Sequence, residues 1–273
     1  MQPTPVRRQI FFPTLLLVIM HGPDAFALLA RLASDADSCE RSWSFHGSGC
    51  EERVLFFFDH DAERALMLAK AAVALGFPAK AVRGWSRALP GADAIGLAVT
   101  RDLRSVRLYV QYWEAVRDRV IGGDPSPTPL YVGFKALGDG RLREDVYICL
   151  PAAPRDLFWP PMERALAGVG ADPVGAQQVF AALDSASCIY TETLSEARRS
   201  WLATVRRAAI DPGQLADCLP ARADLADLVA ELRAGAPLVH VAGGEDDTKG
   251  HFVTLYTEAD PQDVAAMFSR PTR

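Results

Sequence analysis

Arg53, Arg107 and Lys135 fall within short β-rich runs, together with Tyr109, Tyr147, Tyr190 and Tyr256, one acid, Glu40, and one imidazole, His240. If the second face of each run points inward, these nine side chains share one enclosed surface dominated by cations and tyrosines. Cations taken out of water are costly unless an anion meets them, because each loses its hydration. Phosphate suits such a set, since Arg offers paired donors and Lys a compact charge. Aromatic faces attract a cation by about 0.5–2 kcal/mol each when water is excluded. An allyl diphosphate has both needs: cations for its phosphates, and a dry, electron-rich cage for the carbocation that develops as they leave. Prenyl transfer is therefore the chemistry these residue types suggest.

The elements that must position them are five pairs of strand-like runs: 38–45 with 53–58, 92–99 with 105–112, 130–137 with 145–150, 187–193 with 200–206, and 238–242 with 252–257. Turn chemistry separates the members, as in Gly47-Ser48-Gly49, residues 100–104, Gly138-Asp139-Gly140, residues 194–199 and Gly243-Gly244 through Gly250. Between pairs, residues 61–76, 113–120, 155–168, 174–185 and 214–235 place apolar side chains at helical spacing. Sequential hairpins imply antiparallel pairing, and closure of about ten strands into a barrel removes the exposed edges. In 106–112 the apolar Val106, Leu108 and Val110 oppose Arg107, Tyr109 and Gln111, and Val146, Ile148 and Leu150 likewise oppose Asp145, Tyr147 and Cys149. Helices outside would cover the apolar face and leave a polar, tyrosine-rich lumen wide enough for a ligand.

With 49% hydrophobic residues in 273, the chain can bury a large core, and the even hairpin spacing predicts one α+β barrel domain over 24–273 behind an extension at 1–23. A net charge of −5 with no basic stripe argues against a nucleic-acid partner. Five cysteines without a CxxC pair suggest neither a disulfide framework nor a zinc site, and predict a reducing cytoplasm. Against this, Arg7-Arg8 precedes the apolar run 10–20, and Ala25-Phe26-Ala27 imitates a signal-peptidase site; the alternative is an extension broken by Pro13 and packed on the body. That run falls short of the roughly 20 apolar residues of a membrane span. Gly243-Gly244-Glu245-Asp246-Asp247 does not lead from a strand into a helix, so it reads as a hairpin loop and not as a phosphate cradle.

Ser38-Cys39-Glu40, Arg53-Val54-Leu55-Phe56-Phe57-Phe58-Asp59, Arg107-Leu108-Tyr109-Val110, Gly133-Phe134, Gly140-Arg141, Val146-Tyr147-Ile148 and Thr254-Leu255-Tyr256 follow one another in an order that resembles the ABBA-fold prenyltransferases. Within them the chain is most similar to the cyanobactin-type peptide prenyltransferases, over about residues 24–258. The resemblance implies an ABBA (PT) barrel and a monomer. Its co-substrate would be dimethylallyl or geranyl diphosphate, with Mg2+ as an optional assistant and no protein metal site. It implies that Arg53 and Arg107, with Lys135 as a third cation, hold the diphosphate, that Tyr109, Tyr147 and Tyr256 shield the cation, and that Glu40 stands beside the acceptor as orienter or base. The acceptor would be a side chain of a ribosomally made, often cyclic, peptide: Tyr, Trp, Ser or Thr, His, or Arg. A guanidinium acceptor suits extra acid at the lumen mouth, for which Glu40, Glu192 and Asp145 are candidates. Gln111 stands where a further cation is expected, and Lys135 and Arg206 are candidates to compensate. Glu40 is otherwise a hairpin charge, His240 and Tyr190 core residues, and Arg206 a solvated one. The rivals are prenylation of a small aromatic molecule by the same barrel, a barrel that binds an anionic or lipid-like ligand without turnover, and a secreted structural protein.

Overall fold

Strict alternation makes the inner wall of this molecule polar and its outer wall apolar. In the computed structural model, which describes residues 23–269 apart from 48, 137–141, 196–197 and 248, ten strands form a closed barrel. They are β1 (Ser38–His46), β2 (Gly49–Asp59), β3 (Ala94–Thr100), β4 (Val106–Gln111), β5 (Thr128–Ala136), β6 (Leu142–Leu150), β7 (Ile189–Ser195), β8 (Arg198–Thr204), β9 (Leu238–Asp246) and β10 (Gly250–Ala259). Each strand pairs antiparallel with its chain neighbours, and β1 closes on β10 with Ser42 opposite Tyr256 and Ser44 opposite Thr254. Closure leaves no edge to pair with another chain. The stretch 7–20 and the expected turn at 138–140 lie outside the described residues.

Nine α-helices among the described residues cover the outer wall: α1 (Pro23–Asp35), α2 (Ala62–Ala74), α3 (Ala79–Ala88), α4 (Trp113–Ile121), α5 (Arg155–Gly168), α6 (Pro173–Val179), α7 (Pro212–Cys218), α8 (Ala226–Arg233) and α9 (Pro261–Ser269). Val54, Phe56, Phe58, Ile95, Leu97, Val106, Leu108 and Val110 pack under α1, α2, α3 and α9. Trp43, Phe45, Tyr190, Trp201, Ala203, Val241, Val253 and Leu255 pack under α5 to α8. The core is thus a sleeve around the barrel, and the lumen is left to other chemistry. Trp85 of α3 is fully buried in the sleeve, a burial that stabilises by about 3 kcal/mol, and its indole N–H donates to the Tyr109 carbonyl at 3.0 Å. That bond ties the outer sleeve to the strand that carries Arg107, Tyr109 and Gln111 on its lumen face.

Several element boundaries differ from the sequence expectation. The expected helix 214–235 is two helices, because Leu219 before Pro220 is extended, with ψ 150°, and ends α7. Helix α6 stops at Val179 instead of 185; a turn follows in which the Asp184 carboxylate accepts from the N–H groups of Ala186 and Ser187. No helix was expected over 79–88, where Gly84 interrupts a short pattern. A Cβ at Gly84 would sit 3.5 Å from the Phe134 ring, an ordinary contact, and α3 lies on β5 at this point. Strand β2 starts at Gly49, four residues before its expected start, which brings Glu51 into the lumen-facing row of Arg53.

Candidate functional site

Cross-strand register collects the cations. Arg107 of β4 stands opposite Lys135 of β5, which stands opposite Arg143 of β6, so one rung of the ladder carries three basic side chains. These three, with Arg53 of β2 and Lys249 from the turn before β10, line a small cavity of about 60 Å³ at one end of the lumen. Arg53 is buried, and burial, then Arg107, push its guanidinium below its ordinary value. Arg107 acts first, and burial next, to bring the Lys135 ammonium down to about 7. Glu51 pairs with Arg53 and lies 3.8 Å from the Lys249 ammonium, while Asp145 accepts from Arg143 Nε at 3.0 Å. Even so, the buried Nε groups of Arg53 and Arg107 have no protein partner. Unmet donors on crowded cations are what an anion would satisfy.

Tyrosines separate this end from the rest of the lumen. Tyr147 and Tyr256 border both the small cavity and a larger one of about 470 Å³, which Tyr109, Tyr131, Phe57 and Trp113 also line. The Tyr131 and Tyr147 rings meet edge to face with centroids 6.1 Å apart. Two glycines make room for these rings: a Cβ on Gly133 would lie 2.9 Å from Tyr109, and one on Gly96 would lie 3.0 Å from Phe57. Burial pushes the Tyr256 phenol up to about 12, and burial likewise raises Tyr131, so both rings are neutral at physiological pH.

At the far end of the larger cavity the charge is acidic and framed. Glu40 is buried; its Oε1 lies 3.4 Å from His240 Nε2 and 3.9 Å from Arg206, while its Oε2 is buried without a partner. Thr204 Oγ1 lies 2.9 Å from His240 Nδ1 and fixes the ring, whose edge meets Tyr256 at a centroid distance of 5.5 Å. One carboxylate oxygen is therefore held, and the other keeps its hydrogen-bonding capacity unmet beside the larger cavity that Glu40 lines.

Eight of the nine expected lumen residues face the barrel interior: Arg53, Arg107 and Lys135 at one end, Tyr109, Tyr147 and Tyr256 between, Glu40 and His240 at the other. Tyr190 does not. In β7 the lumen phase is Ile189, Thr191 and Thr193, which puts Tyr190 in the outer sleeve against Phe158, its hydroxyl donating to Glu192 at 3.2 Å. Arg206 sits with Glu40 and Glu258 at the acidic end and does not join the cationic cluster. Arg143 and Lys249 supply the extra cations instead. Sequence reasoning missed both: alternation back from Tyr147 and Asp145 points to Arg143, whereas Lys249 stands in a turn that reads as solvated. Tyr131, in phase with Gly133 and Lys135, was also legible and is a further lumen ring.

Among the described residues no group of three His, Cys, Asp or Glu side chains could hold a metal ion. Five cationic side chains outnumber the carboxylates of Glu51, Asp145 and Asp246 at the basic end, a balance that suits an anion better than Mg2+. No helix of the described residues is long and apolar enough to cross a membrane.

No protein-family model matches this sequence, and no curated protein matches it. Solved structures do. The 6-dimethylallyltryptophan synthase from Micromonospora olivasterospora, solved with DMASPP and Trp, is 13% identical, with 86% of each chain covered and a TM-score of 0.53. The prenyltransferase PriB is 13% identical, covering 88% of this chain and 96% of its own, with TM-scores of 0.54 in the apo form and 0.53 in a ternary complex with L-tryptophan and dimethylallyl thiolodiphosphate. The closed ten-strand barrel with its sleeve of helices is the ABBA fold of these prenyltransferases.

Proposed function

We propose that this protein is a prenyltransferase that moves an isoprenyl group from dimethylallyl diphosphate, or its geranyl homologue, to an aromatic side chain carrying an N–H or O–H. The observation that carries the reading is the pairing, across one tyrosine-lined lumen, of unpartnered cationic donors with an unpartnered carboxylate oxygen. Arg53, Arg107, Lys135 and Arg143 hold the diphosphate. The bond between allylic carbon and diphosphate oxygen breaks, and the negative charge that develops on the leaving group stays on these cations. Tyr109, Tyr147 and Tyr256 face the allyl cation, each contributing about 0.5–2 kcal/mol in a dry cage. The acceptor atom forms the new bond to carbon, while Glu40 Oε2 orients the acceptor N–H or O–H and takes its proton, with His240 steadying the other oxygen. No step requires a metal held by the protein.

An indole or phenol acceptor fits the apolar, aromatic lining of the larger cavity. The solved structures of the same fold that carry L-tryptophan or Trp support this acceptor class. A peptide-borne acceptor, cyclic or linear, rests on the sequence resemblance to the cyanobactin-type enzymes. Arginine has less support: Glu192 lies outside the barrel on Tyr190 and Asp145 pairs with Arg143 away from the larger cavity, so of the three candidate acids Glu40 alone lines the acceptor space. The cysteines at 39, 50, 149, 188 and 218 are all free, which supports a cytoplasmic location.

The test is mass spectrometry of the purified protein with dimethylallyl or geranyl diphosphate, with and without Mg2+. Acceptors are free tryptophan and tyrosine and cyclic and linear peptides bearing Trp, Tyr, His, Ser or Arg. A gain of one prenyl unit establishes transfer, and fragmentation names the acceptor atom. Diphosphate binding with no transfer to any acceptor would leave a ligand-binding barrel.

A further inference from the structure

Three acidic residues stand at the basic end and work against an incoming anion: Asp145, which accepts from Arg143, Asp246, which lines the small cavity, and Glu51, which pairs with Arg53. Glu51 stands two residues before Arg53 on the same face of β2, pairs with that guanidinium and approaches the Lys249 ammonium at 3.8 Å. The two members of the pair differ in freedom. The Arg53 side chain is 8% exposed and lies on a strand hydrogen-bonded on both sides, with Ser42 and Thr100 opposite it, deep in the wall of the small cavity. The Glu51 side chain is 32% exposed and stands two residues from the tight turn between β1 and β2. An anion that takes Arg53 Nη2 as well as the unmet Nε must therefore move Glu51, and Glu51 can move outward.

We propose that Glu51 is the resident counterion of the diphosphate site: it occupies Arg53 and Lys249 while the site is empty, yields them to the diphosphate, and recaptures them to displace inorganic pyrophosphate after transfer. The inference rests on the reading of the basic cluster as a diphosphate site. Its physical logic is that a cluster of guanidinium and ammonium groups in partly dry surroundings binds a polyanion tightly enough to make product release slow. A tethered carboxylate competes for the same donors at high local concentration and lowers that barrier. It also meets the charge of buried Arg53 whenever no ligand is present, which keeps the empty barrel folded. A carboxylate that only positioned Arg53, or bridged to the diphosphate through a metal ion, would have the opposite effect on affinity.

The experiment is isothermal titration of inorganic pyrophosphate into the full chain, wild type and Glu51→Gln, with and without MgCl2, together with pyrophosphate inhibition of transfer. The expected result is that Glu51→Gln binds pyrophosphate roughly ten- to a hundredfold more tightly, the range set by removing a nearby like charge in partly buried surroundings, with product inhibition strengthened in step. Weaker or unchanged binding by Glu51→Gln overturns the counterion role, and weakening seen only with MgCl2 assigns Glu51 to a metal bridge instead. No binding by the wild type overturns the diphosphate reading itself and this inference with it. Should Glu51→Gln fail to fold, Glu51→Asp, whose shorter stem reaches Arg53 less well, reads the same sign at smaller size.

Discussion

The outer and inner walls of the barrel treat polar groups differently. On the outside, Arg41 bridges Glu52 and Glu231, and Thr257 donates to Glu231 at 2.6 Å. Arg155 donates to the carbonyls of Phe180 and Leu183, and the Tyr190 hydroxyl is taken by Glu192. On the inside, Arg53 Nε, Arg107 Nε, Glu40 Oε2, Ser42 Oγ and Thr193 Oγ1 are buried without partners. Trp201 Nε1 on the outer wall and Asp93 Oδ1 in the loop before β3 are exceptions outside the lumen. A buried polar group left unmet costs about 1–3 kcal/mol, so a protein that satisfies such groups in its sleeve and leaves them open in its lumen reserves the lumen ones for ligands. The contrast predicts that inner-wall substitutions cost function and leave stability largely intact, and that outer-wall substitutions do the reverse.

The sharpest way to break the contrast is Glu40→Gln, which keeps the shape and removes the base. Turnover should fall about 10²–10⁴-fold with the melting temperature and prenyl diphosphate affinity little changed. A large loss of stability with normal turnover would make Glu40 a structural charge. Arg107→Ala comes next: equilibrium binding of dimethylallyl diphosphate should weaken by about ten- to a hundredfold, as loss of charge-assisted hydrogen bonds worth about 1.5–3 kcal/mol requires. Unchanged affinity would remove Arg107 from the diphosphate site.

Lys135 sharpens the comparison through pH. Its ammonium is lowered from the ordinary 10.5 to about 7 in the folded chain, so between those values the unfolded chain holds a proton that the folded chain lacks. This group's contribution to stability therefore rises with pH across that window, the cost of charging it being felt below about 7. A bound diphosphate reverses the preference. Near pH 8, pyrophosphate binding should take up about one more proton in the wild type than in Lys135→Met, read calorimetrically in buffers of different ionisation enthalpy. Equal uptake by the two proteins would show that Lys135 does not meet the anion. The smallest effect belongs to the outer wall: Tyr190→Phe should lower stability by about 1 kcal/mol in chemical denaturation and leave prenyl transfer unchanged. A change in transfer would return Tyr190 to the site.

The strand phase was legible wherever one face was cleanly apolar. Val106, Leu108 and Val110 against Arg107, Tyr109 and Gln111 oriented β4 and, through cross-strand register, its neighbours. In β7 the lumen face is Thr191 and Thr193 and the outer face is Tyr190 and Glu192, so neither face is cleanly apolar and polarity does not reveal which is buried. Glu51 was hidden because polar residues at 49–52 read as turn although they are strand, and α3 because Gly84 weakens a ten-residue pattern whose stability comes from packing Trp85. The free oxygen of Glu40 and the crowding that depresses Lys135 are tertiary facts, set by strands far apart in the chain.

The most direct test of the account is a structure of the protein with the unreactive donor dimethylallyl thiolodiphosphate and tryptophan. The account predicts the two phosphates on Arg53, Arg107 and Lys135, the prenyl carbons among Tyr109, Tyr147 and Tyr256, and the indole N–H on Glu40. Phosphates bound at the Arg206 and Arg207 end, or outside the barrel, would contradict it.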